Sequence, residues 1–134
     1  MKVLEARLEG EVDAEAVARV SRETGEIVLG LKGPVSPCRV ATAYLGVLEL
    51  YNLGRMRVKS RALAVLMLTV GARQLRDVTG IDAIDIIMGV DVSPDFFESI
   101  LERVTGEKWR GGVCEARCSP EDLAGVAGIV AELA

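Results

Sequence analysis

Six cations stand close together in the middle of this chain. Arg55, Arg57, Lys59 and Arg61 alternate before an apolar run, and Arg73 and Arg76 follow it. No Asp or Glu falls between Leu50 and Arg76. The whole chain carries −4, so with +6 in this stretch the rest carries −10. A local concentration of Lys and Arg is the electrostatic footprint of a phosphate-binding surface. The same charges also suit a solvated helix entry and exit paired with acids from elsewhere in the fold. The residues alone leave both readings open. The acidic balance argues against generic polyanion binding, so a nucleic-acid site has to be local, and no DNA partner is expected.

Other chemistry is sparse. There is no histidine, which removes the commonest general base and the commonest metal ligand. Cys114 and Cys118 have the spacing of neither a zinc knuckle nor a redox pair, and with Cys38 they lack a fourth metal ligand. The three read as buried structural thiols, with a Cys114–Cys118 disulfide open to a hyperthermophilic source. Asp82, Asp85, Asp91 and Asp95 lie near one another in sequence. Asp91 and Asp95 flank a helix start, however, where acids simply favour the positive end of the helix dipole. Gly30-Leu31-Lys32-Gly33 has the glycine spacing of a backbone-clamping RNA loop but follows a strand, so it reads as a strand-to-helix turn. No phosphate-binding Walker loop or dinucleotide fingerprint occurs. Nor does any nucleophile stand beside a base. The expectation is a protein that is not an enzyme, with no cofactor and no metal.

The elements that position the cations read as follows. Ser60 caps a helix through Ala62 to Val70 that is apolar on every face, the pattern of a buried central helix or a membrane span. The run is about half the roughly twenty residues a bilayer needs. It therefore predicts a central core helix, with Leu63, Leu66, Met67 and Val70 buried and a basic collar at each end. Gly71 bends or breaks it, and Arg73 to Thr79 continues as a short helix stopped by Gly80. Lys2 to Leu8 alternates as a strand. Asp13 caps a helix that ends near Thr24-Gly25, and Glu26 to Leu31 is a short strand. Ser36-Pro37, Ser93-Pro94 and Ser119-Pro120 each open a helix, with serine at the cap and proline at the first helical position. Those helices run to about Leu53, to Thr105 and to Leu133. Ile84 to Val90 and Val113 to Cys118 complete the strands.

The order β-α-β-α-α-(α)-β-α-β-α, with no repeat or linker, predicts one α/β domain over residues 1–134. It is a single domain with a small mixed or antiparallel sheet and several helices around the buried central one. Half the residues are apolar, enough for a substantial core. The opening residues carry acids before any apolar signal region, so a cytoplasmic location is expected. Asn52 is the only Asn and Gln74 the only Gln, a scarcity that fits a thermophilic source.

Ser60-Arg61-Ala62-Leu63, then Gly71-Ala72-Arg73-Gln74-Leu75, resembles the small kinase-binding subunit of the KEOPS complex, archaeal type. Eukaryotic relatives are called PRPK-binding proteins. The order of elements agrees over most of the chain. The resemblance implies a non-catalytic subunit of tRNA modification. It would dock on and stimulate the small KEOPS kinase and bind the tRNA 3′ acceptor end while a threonylcarbamoyl group is placed on adenosine. It matches Arg73 and Gln74 to the family's Arg-Gln turn, and Ser60 and Arg61 to the start of its central helix. With Arg55, Arg57, Lys59 and Arg76 these form the expected RNA-binding set, and Tyr51 reads either as the last core position of its helix or as the candidate for stacking on a base. The last helix is the expected partner surface, with Ile129 beside Gly125 and Gly128, whose small side chains admit another element. The alternative is a structural or oligomeric interaction module without RNA binding.

Overall fold

The computed structural model describes residues 1–56, 58, 60–71 and 83–133, except for the side chains of Glu11, Ala83, Ile129, Glu132 and Leu133. The strands are β1 (Lys2–Asp13), β2 (Ile27–Leu31), β3 (Ala83–Val90) and β4 (Cys114–Arg117). The helices are α1 (Ala14–Thr24), α2 (Pro37–Asn52), α3 (Arg61–Val70), α4 (Pro94–Thr105) and α5 (Val126–Leu133). The strands form one sheet in the order β2-β3-β1-β4, with every neighbouring pair antiparallel. β1 and β2 therefore run the same way with β3 between them, joined through α1. In the same manner β3 and β4 flank β1, joined through α4. The chain thus uses the split β-α-β arrangement twice, and the α2–α3 pair occupies the connection from β2 to β3.

Both faces of the sheet are covered. Leu4, Ala6, Val28, Ile84 and Ile87 pack against Val17 and Val20 of α1 and Phe97, Ile100 and Leu101 of α4. Val3, Leu29, Leu31, Ile86 and Met88 pack against Val40, Val47, Ala64 and Val65 of α2 and α3. Double cover explains why neighbours such as Val3 and Leu4, or Ile86 to Met88, are buried together. It also brings the α4 side close. A Cβ added at Gly89 would lie 2.9 Å from the Phe97 ring.

The centre of the fold is the sheet, not α3. Ala62, Ala64, Val65 and Met67 are buried, but Leu63, Leu66 and Leu68 are only half-buried and Val70 is 42% exposed. A helix in an outer layer buries one stripe, whatever the composition of its other faces. The most enclosed helix is α2, which contacts α3, α5, β1, β3 and β4. Its Val40, Ala41, Val47 and Leu50 are at most 1% exposed.

Local signals hold in most places. Asp13 accepts from Glu15 N, Ser60 Oγ from Leu63 N, and Ser93 Oγ from Phe96 N. Gly25, Gly71 and Gly106 end their helices in the left-handed region. The turn at Gly33 follows β2, and Gly33 N donates to Asp85 Oδ1 at 3.0 Å. Three local expectations fail. Ser36 precedes α2 without a side-chain cap bond. β1 runs past Leu8 to Asp13, through a register shift between Arg7 and Val12. Ser119-Pro120 opens turns rather than a helix, which starts only at Val126. Ser119 and Asp122 cap each other reciprocally, but the next bonds, such as Ala124 N to Glu121 O and Val126 N to Leu123 O, span three residues.

Candidate nucleic-acid interface at the entry to α3

Gly54, at φ 69°, turns the chain out of α2. Gly54 N donates to Tyr51 O at 3.0 Å and Arg55 N to Leu50 O at 2.9 Å, a Schellman closure that satisfies two terminal carbonyls. Arg55 thereby emerges on the surface immediately after the helix end. Met56 and Val58 pack back on the α2–α3 core, and the Tyr51 hydroxyl donates to the Val58 carbonyl. Ser60 then starts α3, and Arg61 Cζ lies 5.7 Å from the centroid of the Tyr51 ring, within cation–π range.

Arg55 and Arg61 are both exposed. Among the described residues the ion pairs are Lys2–Glu115, Arg7–Glu5, Arg22–Glu15, Arg103–Glu23 and Arg117–Glu115. All lie elsewhere, so neither Arg55 nor Arg61 is neutralised by a described carboxylate. The first turn of α3 holds no acid either. The positive end of the helix dipole and the Arg61 guanidinium therefore reinforce each other. Electrostatically this turn attracts anions, and Arg61 presents a guanidinium suited to phosphate oxygens.

Of the expected RNA-binding set, the structure thus brings together Arg55, Ser60 and Arg61. Arg57, Lys59, Arg73, Gln74 and Arg76 lie outside the described residues. Gly71, the last described residue before Arg73, ends α3 about 15 Å from its start by helical rise. Tyr51 is not a free stacking platform. Its hydroxyl is bonded to Val58, one face carries Arg61, and the ring packs on the core.

The expected partner surface is divided. Gly125 faces α2, where an added Cβ would lie 3.6 Å from Thr42 Cγ2, while Gly128 opens on empty space. The element that approaches Gly125 closely is therefore α2 of the same chain. The side chain of Ile129 lies outside the description.

The cysteine expectation is corrected. Cys38 and Cys118 form a disulfide, with Cα atoms 5.5 Å apart across 80 residues of sequence, and Cys114 is free and exposed. Cys114 opens β4 and Cys118 follows its last residue, so the extended strand holds the two apart, and the sheet order delivers Cys118 to the start of α2. Another feature absent from the sequence reading is Lys108-Trp109-Arg110. These residues line a cleft of about 640 Å³ with Arg7 and Glu9. Trp109 Nε1 is buried without a hydrogen-bond partner among the described residues. The basic-aromatic run was the signal available for it. No described helix is long and apolar enough to cross a membrane. Comparison with family models, curated proteins and solved structures finds no match.

Proposed function

We propose that this protein is a cytoplasmic, non-catalytic adaptor of tRNA modification. It holds the single-stranded tRNA 3′ acceptor end on the basic ends of α3 and docks on a small kinase, as the KEOPS subunit it resembles does. The observation that carries the reading is the turn joining α2 to α3. Arg55 and Arg61 stand there without a described carboxylate partner, in a chain that is acidic elsewhere. Single-stranded RNA is gripped by cations on its backbone, and the Tyr51 ring holds Arg61 in place for that contact. Gln74 lies between Arg73 and Arg76 in sequence and supplies amide hydrogen bonds for the terminal bases. The outward side of α5 at Gly128 is the side offered to the kinase.

Two experiments test the halves separately. Affinity purification of the tagged protein from native lysate should retain a small kinase, and Gly128→Glu should weaken that retention while the protein stays folded. Titration with tRNA carrying or lacking its 3′ terminal nucleotides should show preference for the intact end. Equal affinity for the two tRNAs would leave the structural or oligomeric module as the better account.

A further inference from the structure

We propose that the Cys38–Cys118 disulfide is a reducible clasp governing how residues 119–133 dock on α2. Cys38 is the second residue of α2, and Thr42 lies one helical turn further along the same face. The segment after Cys118 lies against this face. Thr42 Oγ1 donates to Cys38 O at 2.8 Å and also lies 3.3 Å from Asp122 O, Gly125 sits over the Thr42 methyl, Leu123 packs on the α2 core, and α5 contacts α2. On the other side of the clasp, Cys118 directly follows β4 and is tied to the start of the chain. Its N donates to Met1 O at 2.9 Å, and its carbonyl accepts from Met1 N at 3.3 Å. The disulfide therefore joins the sheet edge to the ground on which the C-terminal segment rests.

The two sulfurs differ in their access to solvent. Cys38 is half-buried, whereas Cys118 is 5% exposed, so a dithiol reductant attacks at Cys38 Sγ. A reductant thiolate bonds to Cys38 Sγ, the protein S–S bond breaks, and its electron pair leaves on Cys118 Sγ, which takes a proton. The second reductant thiol, losing its proton, attacks the sulfur of its own chain in the mixed disulfide. Cys38 leaves as thiolate and the reductant departs as its cyclic disulfide. Two electrons have passed to the protein. With the covalent tie gone, the described contacts left between residues 119–133 and α2 are the Thr42–Asp122 approach, the Leu123 packing and the α5–α2 contact.

The test uses the full chain with Cys114→Ser, which removes the exposed free thiol. Iodoacetamide treatment followed by mass spectrometry should find Cys38 alkylated only after reduction with dithiothreitol. Amide exchange should become at least tenfold faster over residues 119–133 on reduction with dithiothreitol, while β3 stays protected. Three results would overturn the proposal: alkylation of Cys38 without reductant, equal exchange in both redox states, or loss of β3 protection together with the C-terminal segment.

Discussion

Arg61 has its guanidinium over the Tyr51 ring, and the same ring's hydroxyl is tied to Val58, so one tyrosine fixes both sides of the turn. Tyr51→Phe keeps the ring under Arg61 and deletes the bond to Val58. It should lower stability by about 1 kcal/mol in denaturant unfolding while leaving RNA affinity nearly unchanged. A large affinity loss would mean the hydroxyl itself contacts RNA. Gly89→Ala tests the tight approach of α4, because its Cβ would meet Phe97 at 2.9 Å. Overpacking of this kind costs about 1–3 kcal/mol. Trp109→Phe should behave differently from most aromatic changes. It removes the orphaned indole donor, so unfolding stability should fall by less than about 1 kcal/mol or rise.

At the scale of elements, α2 and α3 exchange the roles their compositions imply. Leu50 of α2 is 1% exposed, so Leu50→Ala should cost about 2–5 kcal/mol. Leu66 of α3 is only half-buried, and Leu66→Ala should cost less; the reverse order in urea unfolding would restore α3 to the centre. The run Ala62 to Val70 announced a helix correctly but not its place. An all-apolar pattern carries no information about which faces find cover. Start and stop signals were more legible, because Asp13, Ser60, Ser93, Gly25 and Gly106 act on amides and dihedrals within a few residues. At Ser119 the cap is made, yet the helix waits for Val126. The Asp122 carboxyl is held below its ordinary 3.8 by the Ser119 backbone N–H and then by the Ser119 hydroxyl. A depressed carboxylate adds stability above its ordinary value and loses it as pH falls through the lowered one. Exchange of the amides at Ser119 to Ala124 should therefore be flat from pH 5 upward, after correction for intrinsic rates. It should accelerate below about pH 4, and Asp122→Asn should abolish that step.

The whole molecule is a sheet covered on both faces, with charge unevenly spread over an acidic surface. The sheet order was the least legible feature, since β1 to β2 leaves room for a strand that arrives later in the chain, and β3 to β4 crosses over the strand laid down first. The Cys38–Cys118 bond was hidden for the same reason, because only that topology brings residues 80 apart together. The basic stretch, by contrast, could be read directly from the absence of acids between Leu50 and Arg76. The central claim is that this charge grips RNA phosphates. It is tested most directly by tRNA affinity measured at several salt concentrations for the native chain, Arg55→Ala and Arg61→Ala. Each phosphate neutralised on a single strand contributes about −0.7 to the slope of log K against log salt, so about three to five contacts give a slope near −2 to −3.5. Each substitution should flatten the slope by up to about 0.7. A slope near zero, or slopes unchanged in both variants, would contradict the account.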